Sequence, residues 1–182
     1  CVVVDEVVLV RRPDYVEQAA QIARQFKKVV AFADGGVERQ NSVWNGLEKA
    51  TGDIVAVHDG ARPLVTPALI EATVASAQAH GTGIAATKVV DTIKEATSHV
   101  VDRTVDRTKL WAVQTPQTVR TALLREAYSQ VFKKGVVVTD EAAAVEMLGH
   151  RVDLVETPFL NLKVTTPSDL AMAEALLYSR AK

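Results

Sequence analysis

A carboxylate and a guanidinium three residues apart, at the abrupt end of an apolar run, are the first sign of chemistry in this sequence. In "VAVHDGARPLVTP", Val55 to Pro67, the run stops at His58-Asp59-Gly60-Ala61-Arg62-Pro63. A carboxylate accepts hydrogen bonds from hydroxyls, and a guanidinium grips phosphates with paired donors. The bland alternative is a capped turn with an Asp–Arg surface pair of little worth to stability. His58 suits a packed strand end better than a base or a metal ligand. A second polar cluster, Asp34-Gly35-Gly36, ends "KVVAFADGG". Alone it reads as a turn, because glycine tolerates positive φ. The third signal is Lys163 in "NLKVT". A lysine inside a strand-like run is costly unless its ammonium reaches an anion or snorkels to water at the strand end.

These residues need a scaffold that brings them to one place. "EVVLV", "KVVAFAD" and "IVAVHD" are short apolar runs rich in β-branched residues, and "DYVEQAAQIARQF" and "RQNSVWNGLEKA" between them carry helical stripes. "VTPALIEATVASAQAHG" reads as a helix with Thr66 as N-cap, Pro67 at the first helical position and Gly81 at its end. "GIAATKVVDTIKEATSHVVDRTVDRTKLWAVQ" breaks the alternation, reading as a strand, a protruding β-hairpin and a returning strand. "TVRTALLREAYSQVFKKG" and "TDEAAAVEMLG" are then helical, the second with Thr139 as N-cap. "RVDLVE" and "NLKVT" are strands, and "TPSDLAMAEALLYSRA" closes the chain behind a Thr166–Asp169 capping box. The expected fold is α/β: a Rossmann-like, mostly parallel sheet covered by helices on both faces, with a protruding β-hairpin arm. One domain spans residues 1–182, with the arm at about residues 88–110. Ligands in such sheets bind beyond the carboxyl ends of the strands, where both polar turns lie.

Composition narrows the function. A formal net charge of −1 argues against a non-specific nucleic-acid binder, yet leaves room for a small anionic ligand. The single cysteine, Cys1, forbids an intrachain disulfide and fits a reducing, cytoplasmic compartment. No apolar stretch reaches the roughly 18–20 residues that a membrane span needs. Neither G-x-G-x-x-G nor G-x-x-x-x-G-K-[ST] occurs, which removes the two commonest nucleotide-binding fingerprints.

Taken together and in order, "DGGVERQNSVWNGL", "VHDGARP", "VVDTIK", "TVDRTKLWAVQTPQ", "VTDEAAAVEMLG" and "NLKVTTPSDLAMAEALL" resemble the 2-C-methyl-D-erythritol 4-phosphate cytidylyltransferase family from about Val4 to the C-terminus. The resemblance implies transfer of a cytidylyl group from CTP to a sugar-alcohol phosphate with release of pyrophosphate. It also implies Mg²⁺, bound mainly through the CTP phosphates, and no metal site on the protein itself. Gly35, Gly36, Arg39 and Ser42 match the family's cytosine-binding turn, although Arg39 reads equally well as a solvated charge at a helix start. Asp59, Ala61 and Arg62 match ribose, backbone and acceptor contacts. Thr92 and Arg107 on the arm match acceptor-phosphate contacts and imply a homodimer in which the arm serves the partner's site. Thr115 and Thr139 match further acceptor contacts, and either suits a structural cap. Asp140 reads as a first-turn carboxylate favoured by the helix dipole. Lys163 matches the lysine that neutralises the α-phosphate during transfer, with Asp59 and Arg62 completing the catalytic set.

The family also begins with a strand and a glycine-rich, arginine-containing loop followed by a Pro-Lys pair, and nothing in these residues corresponds to it. The expectation is a domain written without its first βα unit, inactive in that form. The nearest relatives act on ribitol 5-phosphate, which is the alternative acceptor. A non-catalytic binding or assembly protein is the alternative of a different class.

Overall fold

The computed structural model describes residues 1–157 and 161–180. Strands β1 (Val7–Arg11) and β2 (Val29–Asp34) pair in parallel, linked by a 3-10 turn at Pro13–Tyr15 and helix α1 (Val16–Ala23). Helix α2 (Arg39–Leu47), strand β3 (Ile54–Val57), helix α3 (Pro67–His80) and strand β4 (Thr82–Lys88) follow. A hairpin of β5 (Ile93–Thr97) and β6 (Val100–Val105) interrupts the alternation before the long strand β7 (Trp111–Arg120). Helices α4 (Thr121–Lys134) and α5 (Glu141–Glu146), strand β8 (Leu154–Glu156) and helix α6 (Pro167–Arg180) complete the order.

The larger sheet has the order β3-β7-β4-β8. β4 and β8 are parallel, while β7 runs antiparallel to both β3 and β4. The returning strand after the arm therefore inserts between two strands that point the same way. Successive residues of a strand face opposite sides, so contacts at β4 and β7 locate the covering helices. Gly83 lies against Thr73 of α3, and Thr118 donates its hydroxyl to Thr73 at 2.9 Å. Their neighbours Ile84 and Val119 join Leu124, Tyr128 and Val131 of α4 in the main core. Helices thus cover both faces. The buried positions Leu124, Ala127, Tyr128 and Val131 fall at helical spacing along α4.

The helix ends show how local chemistry sets boundaries. Thr66 accepts from the Leu69 amide, Pro67 opens α3, and Gly81 ends it with φ of 96°. The Thr166 hydroxyl accepts from the Asp169 amide while Asp169 accepts from the Thr165 and Thr166 amides, each at 2.9 Å. The bonds that the carboxylate accepts from Thr165 and Thr166 hold it down at about 2.

Three expectations are corrected. The N-cap of α5 is Asp140, whose carboxylate accepts from the Ala143 amide; Thr139 stands one residue outside, so the carboxylate at that end is the cap itself. Thr118–Arg120 belong to β7, because their backbone pairs with β3 and β4 before α4 begins at Thr121. "NLKVT" is not a strand: Asn161–Thr165 run as an irregular segment bonded to the loop after β3. Among the described residues, no helix is long and apolar enough to cross a membrane.

Candidate active site

The site assembles because antiparallel pairing and one irregular segment converge past the end of β3. Val57 pairs with Gln117 of β7, so the register carries Thr115 opposite Asp59. There the Asp59 amide donates to the Thr115 hydroxyl oxygen at 3.1 Å, and Thr115 also meets His58 Nδ1 at 3.0 Å. The Arg62 amide closes the turn onto the Asp59 carbonyl at 2.9 Å. From the other side, the Val164 amide donates to the Ala61 carbonyl and Arg62 Nη1 donates to the Asn161 carbonyl, each at 2.7 Å. Asn161 Nδ2 in turn donates to the Thr115 carbonyl at 2.7 Å. This lacing delivers Lys163 to the rim.

At the centre the Asp59 carboxylate meets three cations. Lys163 Nζ lies 3.1 Å from Oδ2, Arg62 Nε lies 3.8 Å from the same oxygen, and Arg39 Nη2 lies 3.3 Å from Oδ1. Burial opposes the charge of Asp59, but the Lys163 hydrogen bond and the Arg39 guanidinium outweigh it and hold the carboxyl below its ordinary pKa. Arg39, the first residue of α2, also makes a two-pronged pair with Glu141 at 2.7 and 3.0 Å. Burial opposes its charge too, and the bonds and charge of Glu141 more than compensate, raising its pKa. Three cations against two carboxylates leave a net charge of +1, so the cluster attracts an anion.

The cytosine-turn candidates sit beside it. Gly36 donates its amide to the Ser42 hydroxyl at 2.9 Å, and the Gly35 amide donates to the Arg11 carbonyl at 2.8 Å. Neither glycine has positive φ. Gly36 is required for space instead, since an added Cβ would lie 2.3 Å from Cβ of Asn41. At Gly60 nothing lies within 4 Å of such a Cβ, so this backbone is open to approach.

Of the residues singled out in the sequence, Arg39, Asp59, Ala61, Arg62, Thr115 and Lys163 come together. Thr115 is buried and its hydroxyl is committed to the Asp59 turn. Thr92 and Arg107 stand apart on the arm, where Arg107 Nη1 donates to the Val90 carbonyl, and neither hydrogen-bonds to this cluster. Sequence reasoning missed Glu141, Tyr128 and Asn161, all polar side chains buried beneath the rim. Among the described residues, no group of three or more histidine, cysteine or acidic side chains is arranged to hold a metal ion.

The family model for 2-C-methyl-D-erythritol 4-phosphate cytidylyltransferase (IspD) matches residues 1–179. The chain belongs to this family. It is 46% identical over 177 residues to the cytidylyltransferase of that name from Geobacillus thermodenitrificans, covering 96% of this chain and 78% of that protein. It is 43% identical to the chloroplastic enzyme of Oryza sativa, of which it spans 60%. The crystal structure of the cytidylyltransferase from Thermus thermophilus superposes with a TM-score of 0.81 at 38% identity, over 94% of this chain and 81% of that one. A likeness that extends through sequence and structure over nearly the whole chain makes this protein a nucleotidyltransferase of the cytidylyltransferase type.

His58 supports this cytidylyltransferase rim through hydrogen bonds to Arg62 and Thr115. Its Nε2 faces the Arg62 carbonyl at 3.1 Å, which can only accept, so the neutral ring carries its proton there and receives the Thr115 hydroxyl at Nδ1. Desolvation lowers the His58 pKa from 6.5. A lowered folded-state value means stability is fully present above pH 6.5 and is lost as pH falls through the folded pKa. The melting temperature should therefore decline on acidification below pH 6.5, and His58→Gln should flatten that decline. Parallel melting curves for variant and wild type across this window would contradict the assignment.

Proposed function

We propose that this domain, supplied with the glycine-rich loop that the family places before it, transfers the cytidylyl group of CTP to 2-C-methyl-D-erythritol 4-phosphate, giving the CDP-alcohol and pyrophosphate in the non-mevalonate route to isoprenoid precursors. What carries this reading is the net-positive Asp59–Arg62–Lys163 cluster at the carboxyl end of β3, in a chain of this family. An oxygen of the acceptor phosphate attacks the α-phosphorus of CTP in line. A new P–O bond forms, the bond to the α–β bridging oxygen breaks, and pyrophosphate leaves with that electron pair. The nucleophile is already an anion, so no base is needed, and positioning with charge stabilisation does the work.

In this reading Lys163 neutralises the α-phosphoryl oxygens, Arg62 holds the acceptor phosphate and Asp59 accepts from ribose hydroxyls. The Gly35–Gly36 turn, held by Ser42, receives the base through its backbone. Mg²⁺ held by the CTP phosphates would supply further charge neutralisation there, with no ligand required from these residues. Asp59 suits a hydroxyl contact better than a metal, because three cations already surround it. The match to relatives named for the erythritol phosphate favours that acceptor over ribitol 5-phosphate. Charged, freely diffusing substrates support a cytoplasmic location. Mass spectrometry of products formed from CTP and an equimolar mixture of the two acceptors tests the choice. A dominant CDP-ribitol peak would overturn it.

The same reading makes the protein a homodimer through the arm. The hairpin is exposed along most of its length, with Val100 and Val101 at 68% and 54%, and a lone two-stranded hairpin is marginal in water. Pairing with a second copy covers these valines and brings Thr92 and Arg107 to the partner's acceptor phosphate. Mixing Arg107→Ala with Lys163→Ala subunits should restore activity, approaching about a quarter of wild type for random exchange at one intact site in hybrid dimers. No recovery after proven subunit exchange would count against a shared site.

A further inference from the structure

Glu141 is a carboxylate with no exposure at all, at the first position of α5. An ionised group so placed is costly unless it is paired and hydrogen-bonded. Both oxygens of Glu141 are. Arg39 Nη1 and the Tyr128 hydroxyl both donate to Oε1, at 2.7 and 2.9 Å, and Arg39 Nη2 donates to Oε2 at 3.0 Å. The same guanidinium turns outward, donating from Nε and Nη2 to Asp59 Oδ1 at 3.4 and 3.3 Å. A continuous chain, Tyr128–Glu141–Arg39–Asp59–Lys163, thus runs from the core to the rim and joins α4, α5, α2, the loop after β3 and the segment before α6.

The geometry has a consequence for Arg39. A guanidinium gripped from behind by two bonds cannot follow an incoming phosphate. It is placed to orient the carboxylate in front of it. Occupying Oδ1 of Asp59, it leaves Oδ2 to Lys163 at 3.1 Å, with Arg62 Nε farther off at 3.8 Å. Stability alone does not require such an arrangement, because a buried ion pair is often no more stable than well-packed apolar side chains of similar volume.

We propose that Glu141 is a positioning residue for nucleotidyl transfer: its grip on Arg39 fixes Asp59 and, through Asp59, the ammonium of Lys163. This rests on the cytidylyl-transfer reading above and adds a residue outside the set that touches substrate. Without the Glu141 charge, Arg39 is free to slide onto both oxygens of Asp59 and displace Lys163, or to move with the substrate phosphates. Ground-state binding of CTP changes little, while the preorganisation needed at the transition state is lost.

The test is steady-state kinetics on the intact protein with Glu141→Gln, which keeps the side-chain volume and removes the charge. The expected result is a fall in kcat of about tenfold or more, with KM for CTP within about threefold. Arg39→Lys should show the same split, and the double variant should be no worse than the worse single, as for two residues acting through one link. Nitrogen-15 NMR gives the physical readout: Arg39 Nη signals distinct in the wild type should merge in Glu141→Gln as the guanidinium begins to rotate. An inactive wild type overturns the functional reading and this inference with it. An active wild type with unchanged kcat in Glu141→Gln overturns this inference alone, as does a kcat loss with unaltered Arg39 signals. If Glu141→Gln does not fold, Arg39→Lys on its partly exposed side chain decides the matter, and wild-type kcat there overturns the proposal.

Discussion

Replacing Lys163 with alanine should lower kcat by about 10²–10³-fold while changing KM for CTP much less, because charge accumulates on the α-phosphoryl oxygens mainly during transfer. Nζ lies 3.1 Å from Asp59 Oδ2, and 45% of the side chain remains exposed, so the ammonium is held in place yet open on one side. The fold should survive: Asp59 keeps Arg39 and Arg62, and a partly exposed ion pair contributes little to stability. Lys163→Arg should rescue poorly, since a planar fork on a longer stem directs its donors differently from a compact ammonium. Kinetics showing an unchanged kcat with only a raised KM would remove Lys163 from the transition state.

The largest loss of stability is expected from a single methyl group at Gly83. A Cβ there would stand 2.2 Å from the Thr73 carbonyl oxygen, 2.8 Å from Ser76 Cβ and 3.0 Å from the Thr73 carbonyl carbon. Two of these atoms are α3 backbone, so relief requires lifting the helix from β4. Gly83→Ala should cost about 3 kcal/mol or more, lowering the melting temperature by roughly 6–12 °C. Because α3 begins directly after the Asp59–Arg62 loop, activity should fall with it. Gly60→Ala is the contrast: nothing lies within 4 Å, and the melting temperature should stay at the wild-type value. A wild-type melting temperature for Gly83→Ala would mean that α3 does not sit where the structure has it.

The two glycines also show what a sequence reveals. Both are single letters without periodicity, and only the helix lying across β4 makes one of them indispensable. Boundaries set by local chemistry were legible. Thr66, Pro67 and Gly81 frame α3 because cap, ring and left-handed terminus act within a few residues. Lys163 was legible as well, because a cation in an apolar run calls for an anion, though that anion proved to be Asp59 and the run is no strand. Glu141 was not legible. It meets Arg39 from 102 residues away, and an acidic residue in a first helical turn is equally at home in water. The arm turn was hidden for a different reason. Ser98 and His99 both adopt positive φ, the geometry of a two-residue hairpin turn, without the Asn-Gly pair that usually announces one. The direction of β7 likewise depends on where the arm folds back, which no local pattern fixes.

Cytidylyl transfer is read out by pyrophosphate release from the purified protein, expressed with whatever its gene encodes on either side of these residues. With CTP, Mg²⁺ and 2-C-methyl-D-erythritol 4-phosphate together, release should be steady and should stop when any one of the three is withheld. Lys163→Ala, equally well folded, should reduce it by about two to three orders of magnitude. Release that proceeds without the acceptor, or that Lys163→Ala leaves untouched, would contradict the claim that cytidylyl transfer takes place at the Asp59–Lys163 rim.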